Sequence, residues 1–375
     1  MSNPLQRLGE LGQSVWYDNI SRAVLQDGSL EALVKAGEVQ GVTSNPSIFE
    51  KAIGGSDAYD ADIRRLRQAG REWVGVYEGL AVSDIQAGAD LLRPVFERTG
   101  GADGYISLEV SPDIAYDAER TVADAVRLHG LVDRPNLMIK IPATEQGWQA
   151  IEECIARGLC INVTMMFALR HYRGVAEAYV RGLERLAGPG GDLGRVHSVA
   201  SVFVSRFDTL VDRLLEERIS SGAGDTPKLR ALLGQAALTN AKLTYQEFVR
   251  TFAGPRWESL AKRGANVQRP LWASTSTKNP NYRDVLYAEE LIGPHTVDTM
   301  PPQTLEAFRD HGEVRRTVDQ GLDHARRVAR DLGAVGIDLE EVGEQLQREG
   351  ITAFATAFTK MLDGIRAKGQ SLVGR

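Results

Sequence analysis

Lys140 stands inside Asn136-Leu137-Met138-Ile139-Lys140-Ile141-Pro142-Ala143-Thr144, a stretch otherwise without charge and short enough to be a buried strand. Burial disfavours the charged form of a lysine, lowering its pKa by roughly 3–5 units when complete, and the neutral amine attacks carbonyl carbons. The chemistry to expect is a Schiff base. The bland alternative is a lysine buried against a structural carboxylate. What the other strands aim at the same place decides between them.

Eight short apolar segments recur, at 14–18, 41–45, 104–110, 136–144, 160–167, 198–205, 270–275 and 296–301, each followed by helix-like sequence. Strand alternating with helix implies a parallel sheet, and eight such units imply a closed (β/α)8 TIM barrel, an α/β fold. Asn45 before Pro46, Ser111 before Pro112 and Thr144 before Glu145 mark helix starts. The expectation is one barrel domain over 1–375, with helical insertions around 56–100 and 206–265 and a helical C-terminal region, 303–375. Gly188-Pro189-Gly190-Gly191-Asp192-Leu193-Gly194 lacks the dinucleotide spacing and reads as a turn.

Side chains alternate across a strand, so one parity faces the barrel interior and the other the helix layer. Leu137, Ile139 and Ile141 suit the helix layer, leaving Met138 and Lys140 inside. The same rule turns Ser107 and Glu109 inward, then Asn162 and Thr164, then Ser201 and Phe203. Asp18 ends the first segment opposite in parity to Val15 and Tyr17, and Asn45 ends the second opposite in parity to Val42. Most of these groups fall near the carboxyl ends of their strands, the face on which such barrels carry active sites. Glu109 and Asp18 would shuttle protons around the amine. Arg206, just past the sixth segment, and Lys278, in the loop Ser274-Thr275-Ser276-Thr277-Lys278-Asn279, supply cations beside hydroxyls, a combination suited to phosphate.

The chain has 375 residues, 43% hydrophobic and 25% charged, with a net charge of -6, which argues against nucleic acid or an anionic membrane as partner. Cys154 and Cys160, the two cysteines, form no ligand spacing, and no histidine ends a strand segment, so a metal site is not expected. No run is long enough to span a membrane and residues 1–7 lack the apolar core of a signal peptide, so the expected location is cytoplasmic.

Three motifs, Gly41-Val42-Thr43-Ser44-Asn45-Pro46-Ser47, Ile139-Lys140-Ile141-Pro142-Ala143-Thr144 and Asn162-Val163-Thr164, resemble transaldolase signatures in the expected order. The likeness is to the longer bacterial form and runs from about Ser14 to Pro302. It implies a barrel of the class I aldolase type, with Lys140 forming the Schiff base with a ketose. Asp18 would take the hydroxyl proton that triggers cleavage, and Glu109 would act through a water that Thr164 helps hold. Asn45, Asn162 and Ser201 would bind the dihydroxyacetone portion, Phe203 would contact the substrate, and Arg206 and Lys278, with Ser274 or Ser276, would take the phosphate. The implied substrates are sugar phosphates, the implied assembly is a monomer or homodimer, and no cofactor is required. The rival readings are an aldolase that releases free dihydroxyacetone and an inert sugar-phosphate binder.

Overall fold

The computed structural model describes residues 3–188 and 190–373; Pro189 of the glycine-rich turn and the last two residues of the C-terminal region lie outside them. Eight parallel strands close into a barrel in sequence order: β1 (Gln13–Tyr17), β2 (Gly41–Val42), β3 (Ile106–Glu109), β4 (Leu137–Pro142), β5 (Ile161–Met166), β6 (Ser198–Phe203), β7 (Gln268–Ala273) and β8 (Thr296–Met300). Each anticipated strand is present, with edges displaced by at most three residues. The (β/α)8 expectation holds.

Two displacements matter for the site. β2 ends at Val42 because the chain turns at once into the helix Pro46–Gly54, whose N-cap is Asn45, its side chain accepting from the Ile48 amide. Asn45 is therefore a cap at a strand-to-helix corner and not a strand residue. β7 begins at Gln268, two residues before Pro270, and so ends at Ala273, which leaves Ser274 beyond the sheet with a φ of 58°. Met165 in β5 takes a φ of 54° at a shift of register against β6. Left-handed backbone at a non-glycine residue costs about 1–2 kcal/mol, and both positions lie at the carboxyl end of the barrel.

The expected helical stretches contain Asp60–Gln68 and Trp73–Arg98, then four helices between Ser205 and Ala261, then Pro302–His311, Leu322–Ala334 and Leu339–Val373. The last spans about 52 Å at the rise of an α-helix and crosses the carboxyl face of the barrel. Its residues 343, 347, 350, 354 and 358 share one stripe. Gly343 lies so close to Ala168 that an added Cβ would stand 2.8 Å from Ala168 backbone. Gln347 Nε2 donates to Ala143 O (2.9 Å) and Met165 O (3.0 Å), and Phe358 meets the Tyr77 ring edge-on. No described helix is long and apolar enough to cross a membrane.

Asp298 faces the helix layer, since its neighbour Thr299 points into the barrel. It is fully buried, accepts from Thr275 Oγ1 at 2.9 Å, and has no cation within ion-pair distance among the described residues. Burial pushes its carboxyl up to about 7. A carboxyl whose pKa rises on folding holds its proton more tightly in the native state. Its stabilising share is complete below the unfolded value and is lost as pH climbs through the folded one. Asp298→Asn is expected to flatten the decline of unfolding free energy between pH 5 and 8 by on the order of 1–4 kcal/mol. Denaturant titrations across that range check this; parallel curves for parent and variant would refute it.

Candidate active site

Strand register alone brings the central pair together: Glu109 on β3 is the direct partner of Lys140 on β4. In-register residues on adjacent strands sit about 4.8 Å apart. Lys140 is 6% exposed, and its Nζ donates to Ser44 O at 2.9 Å and lies 3.8 Å from Glu109 Oε2. It points into the barrel mouth, as parity requires.

Asp18 follows β1 and is anchored through its amide to Met300 O at 2.9 Å. Its Oδ1 accepts from Thr43 Oγ1 at 2.7 Å, and Thr43 Oγ1 pairs with Thr299 Oγ1 at 2.6 Å. Thr43 has one hydroxyl proton, spent on Asp18, so Thr299 donates to Thr43. This relay across three strands orients the Asp18 carboxylate. Burial raises the Asp18 pKa, and the Thr43 bond and the nearby lysine oppose that rise. Burial likewise pushes Glu109 up to about 7, with the lysine pulling it down and Asp18 pushing it further up. A carboxyl poised there both gives and takes protons near neutrality.

A cavity of about 230 Å³ collects Asp18, Asn45, Lys140, Thr164, Ser201, Phe203, Arg206, Ser274, Ser276 and Lys278. Two residues named from the sequence stand differently. Asn162 is fully buried beneath the floor, where its Nδ2 donates to Ser107 Oγ at 3.0 Å and its Oδ1 accepts from Ser201 Oγ at 2.7 Å. It positions Ser201 and does not line the cavity. Glu109 touches the lysine but forms part of the wall of a second cavity. Glu109 Oε2 and Thr164 Oγ1 are both buried without a protein hydrogen-bond partner. Buried polar atoms of this kind are satisfied by water or by a ligand.

Cations line another part of the cavity wall. Arg206 lies in the first turn of the helix Ser205–Ser220, where the dipole favours anions, with its guanidinium over the Phe203 ring. Neither Arg206 nor Lys278 has a carboxylate within ion-pair distance among the described residues. Burial lowers the Arg206 pKa; burial and then Arg206 lower that of Lys278. Two neighbouring cations without a counter-ion suit an anion. Both serines of the loop contribute: Ser274 Oγ pairs with Ser205 Oγ at 2.9 Å, and Ser276 Oγ accepts from Lys278 Nζ at 2.7 Å.

Thr43, Ser47, Thr299 and Phe354 also line the cavity and were not singled out from the sequence. Thr299 was open to the parity argument. Phe354, on the helix Leu339–Val373, had no local signal. His197 and His295 precede β6 and β8 at the opposite face, and Cys154 and Cys160 are buried free thiols.

The chain matches the Transaldolase/Fructose-6-phosphate aldolase family over residues 15–365. It belongs to that family. Among curated relatives it is 42% identical over 376 residues to a transaldolase of Trichodesmium erythraeum, covering 99% of each chain. It is 46% identical over 366 residues to those of Frankia alni, covering 97% of each chain, and of Thermobifida fusca, covering 97% of this chain and 98% of that one. The match extends through the helix Leu339–Val373 to residue 365, beyond the Ser14–Pro302 span of the sequence resemblance. Family membership thus includes the helix that supplies Phe354.

Proposed function

We propose that this protein is a transaldolase that moves a dihydroxyacetone unit from sedoheptulose 7-phosphate to glyceraldehyde 3-phosphate, giving erythrose 4-phosphate and fructose 6-phosphate, through an imine on Lys140. The observation that carries the reading is a single cavity joining a buried lysine beside two acids to a pair of cations without counter-ions. Its family and the transaldolases to which it is similar support the same reaction. The substrates are sugar phosphates, and the setting is the cytoplasm, where both thiols stay reduced.

In this mechanism the Lys140 lone pair bonds to the ketose carbonyl carbon as the carbonyl π pair moves to oxygen, and a proton then passes from the nitrogen to that oxygen, giving a neutral carbinolamine. Glu109 protonates the carbinolamine hydroxyl, which leaves as water while the nitrogen lone pair forms the iminium. Asp18 then accepts the proton of the hydroxyl on the carbon beside the iminium-bearing unit. The carbon-carbon bond breaks toward the iminium nitrogen, and the first aldehyde departs. The second aldehyde reverses these steps, and water frees the product. Thr164 Oγ1 and Glu109 Oε2 hold the water that mediates proton transfer. Asn45 and Ser201 bind the three-carbon unit, Phe203 packs against it, and Arg206 and Lys278 take the phosphate.

Product analysis tests the reading. Fructose 6-phosphate alone should yield little free dihydroxyacetone, and adding erythrose 4-phosphate should raise turnover sharply. Steady release of dihydroxyacetone, indifferent to the acceptor, would assign the chain to aldolase chemistry. Glu109→Gln is expected to lower kcat by about 10²–10⁴-fold and to remove the limb near pH 7 from the pH–rate profile. A persisting limb would mean that another group carries the proton.

A further inference from the structure

The larger cavity near the site, about 460 Å³, does not contain the lysine. It lies between the helices Trp73–Arg98 and Ala118–Val132, with Phe358 of the helix Leu339–Val373 in its wall. Its rim includes Val74, 47% exposed, and the exposed Asp113, Arg120 and Ala123, so it reaches bulk solvent. The partition between the cavities is thin. Pro46 lines this one while its neighbours Asn45 and Ser47 line the other, and Glu109, a wall residue here, stands 3.8 Å from Lys140. The Glu109 side chain is 7% exposed, and its Oε2, buried toward the lysine, has no protein partner.

We propose that this second cavity is the water port of the active site. Water expelled on imine formation leaves past Glu109, and the water that later hydrolyses the imine enters the same way. The inference rests on the imine mechanism above. Stoichiometry demands such a port: the carbinolamine C–O bond breaks, its oxygen leaves with the bonding pair and a proton from Glu109, and one water is produced. Hydrolysis consumes one, its oxygen bonding to the iminium carbon as the C–N electrons return to Lys140. During both events the ketose phosphate occupies the 230 Å³ cavity, its phosphate against Arg206. The side of Lys140 walled by Glu109 is then the open one. Glu109 thereby stands where it meets each water as it passes.

Heavy oxygen placed at the carbonyl of the dihydroxyacetone unit of fructose 6-phosphate reads this directly. With erythrose 4-phosphate as acceptor, the wild-type enzyme should deliver sedoheptulose 7-phosphate without the label, because the departing water is lost to solvent before another returns. Val82→Phe and Ala123→Phe put a ring into the port from half-buried and exposed positions, where added bulk is tolerated. Thermal melts verify that each variant is folded. In these variants the trapped water returns to the same imine, and most of the product should keep the label while borohydride still traps the Lys140 adduct. Complete loss of label in both folded variants, as in the wild type, would overturn the port. Absence of any adduct in the wild-type enzyme would instead overturn the imine mechanism on which the port depends.

Discussion

Lys140→Ala is expected to abolish the covalent adduct and lower transfer by about 10⁴-fold or more, the scale of losing a nucleophile. Binding alone should survive, because the cations and Asn45 are untouched. The fold should survive as well. Lys140 Nζ makes one hydrogen bond, to Ser44 O, and its acidic neighbour Glu109 already has a pKa raised to about 7. With Lys140 gone, burial holds the proton on that carboxyl, so no charge is stranded in the barrel. The loss is then about 1–2 kcal/mol, a few degrees in Tm. A variant that is folded and still transfers would contradict the mechanism; Lys140→Met, closer in volume, guards against reading a cavity effect as a chemical one.

Arg206→Ala should raise KM for sugar phosphates far more than it lowers kcat, with a loss in kcat/KM of about 30- to 1,000-fold, equivalent to roughly 2–4 kcal/mol. The guanidinium is partly buried, has no protein counter-ion, and sits in the first turn of a helix. Its removal costs the anion both a charge and a fixed donor fork. Lys278 is more exposed than Arg206 and already hydrogen-bonded to Ser276, so Lys278→Ala should cost less. Unphosphorylated fructose is the control, since its turnover should respond little to either change. Equal losses for both sugars would assign Arg206 to the barrel's structure instead of to phosphate.

Much of this site was legible because barrel strands obey a period of two. A lone charge in an apolar strand has only two faces to choose from, and Ile139 and Ile141 settle which one Lys140 takes. The carboxyl-end location followed for the same reason. Parity gave a face but not a depth: Asn162 and Thr164 share it, yet Asn162 is saturated below the floor while Thr164 keeps a hydroxyl without a protein partner. Nor did parity reveal that Glu109 lies between two cavities, because that depends on where distant helices stop short of filling space. Thr43 and Thr299 carry no charge, and a hydroxyl in a strand has no signature of its own. The helix Leu339–Val373 was hardest to place. Its contact stripe runs through Gly343, Gln347 and Gly350, which an apolar periodicity passes over, although the two glycines let the helix approach the strand ends and Gln347 bonds to them.

Borohydride reduction in the presence of fructose 6-phosphate, followed by peptide mapping, tests the central claim most directly. One dihydroxyacetone-sized adduct per chain is expected, on Lys140, with activity lost in proportion to labelling. A protein that binds the sugar yet stays unmodified, or that carries the adduct on another lysine, would contradict it.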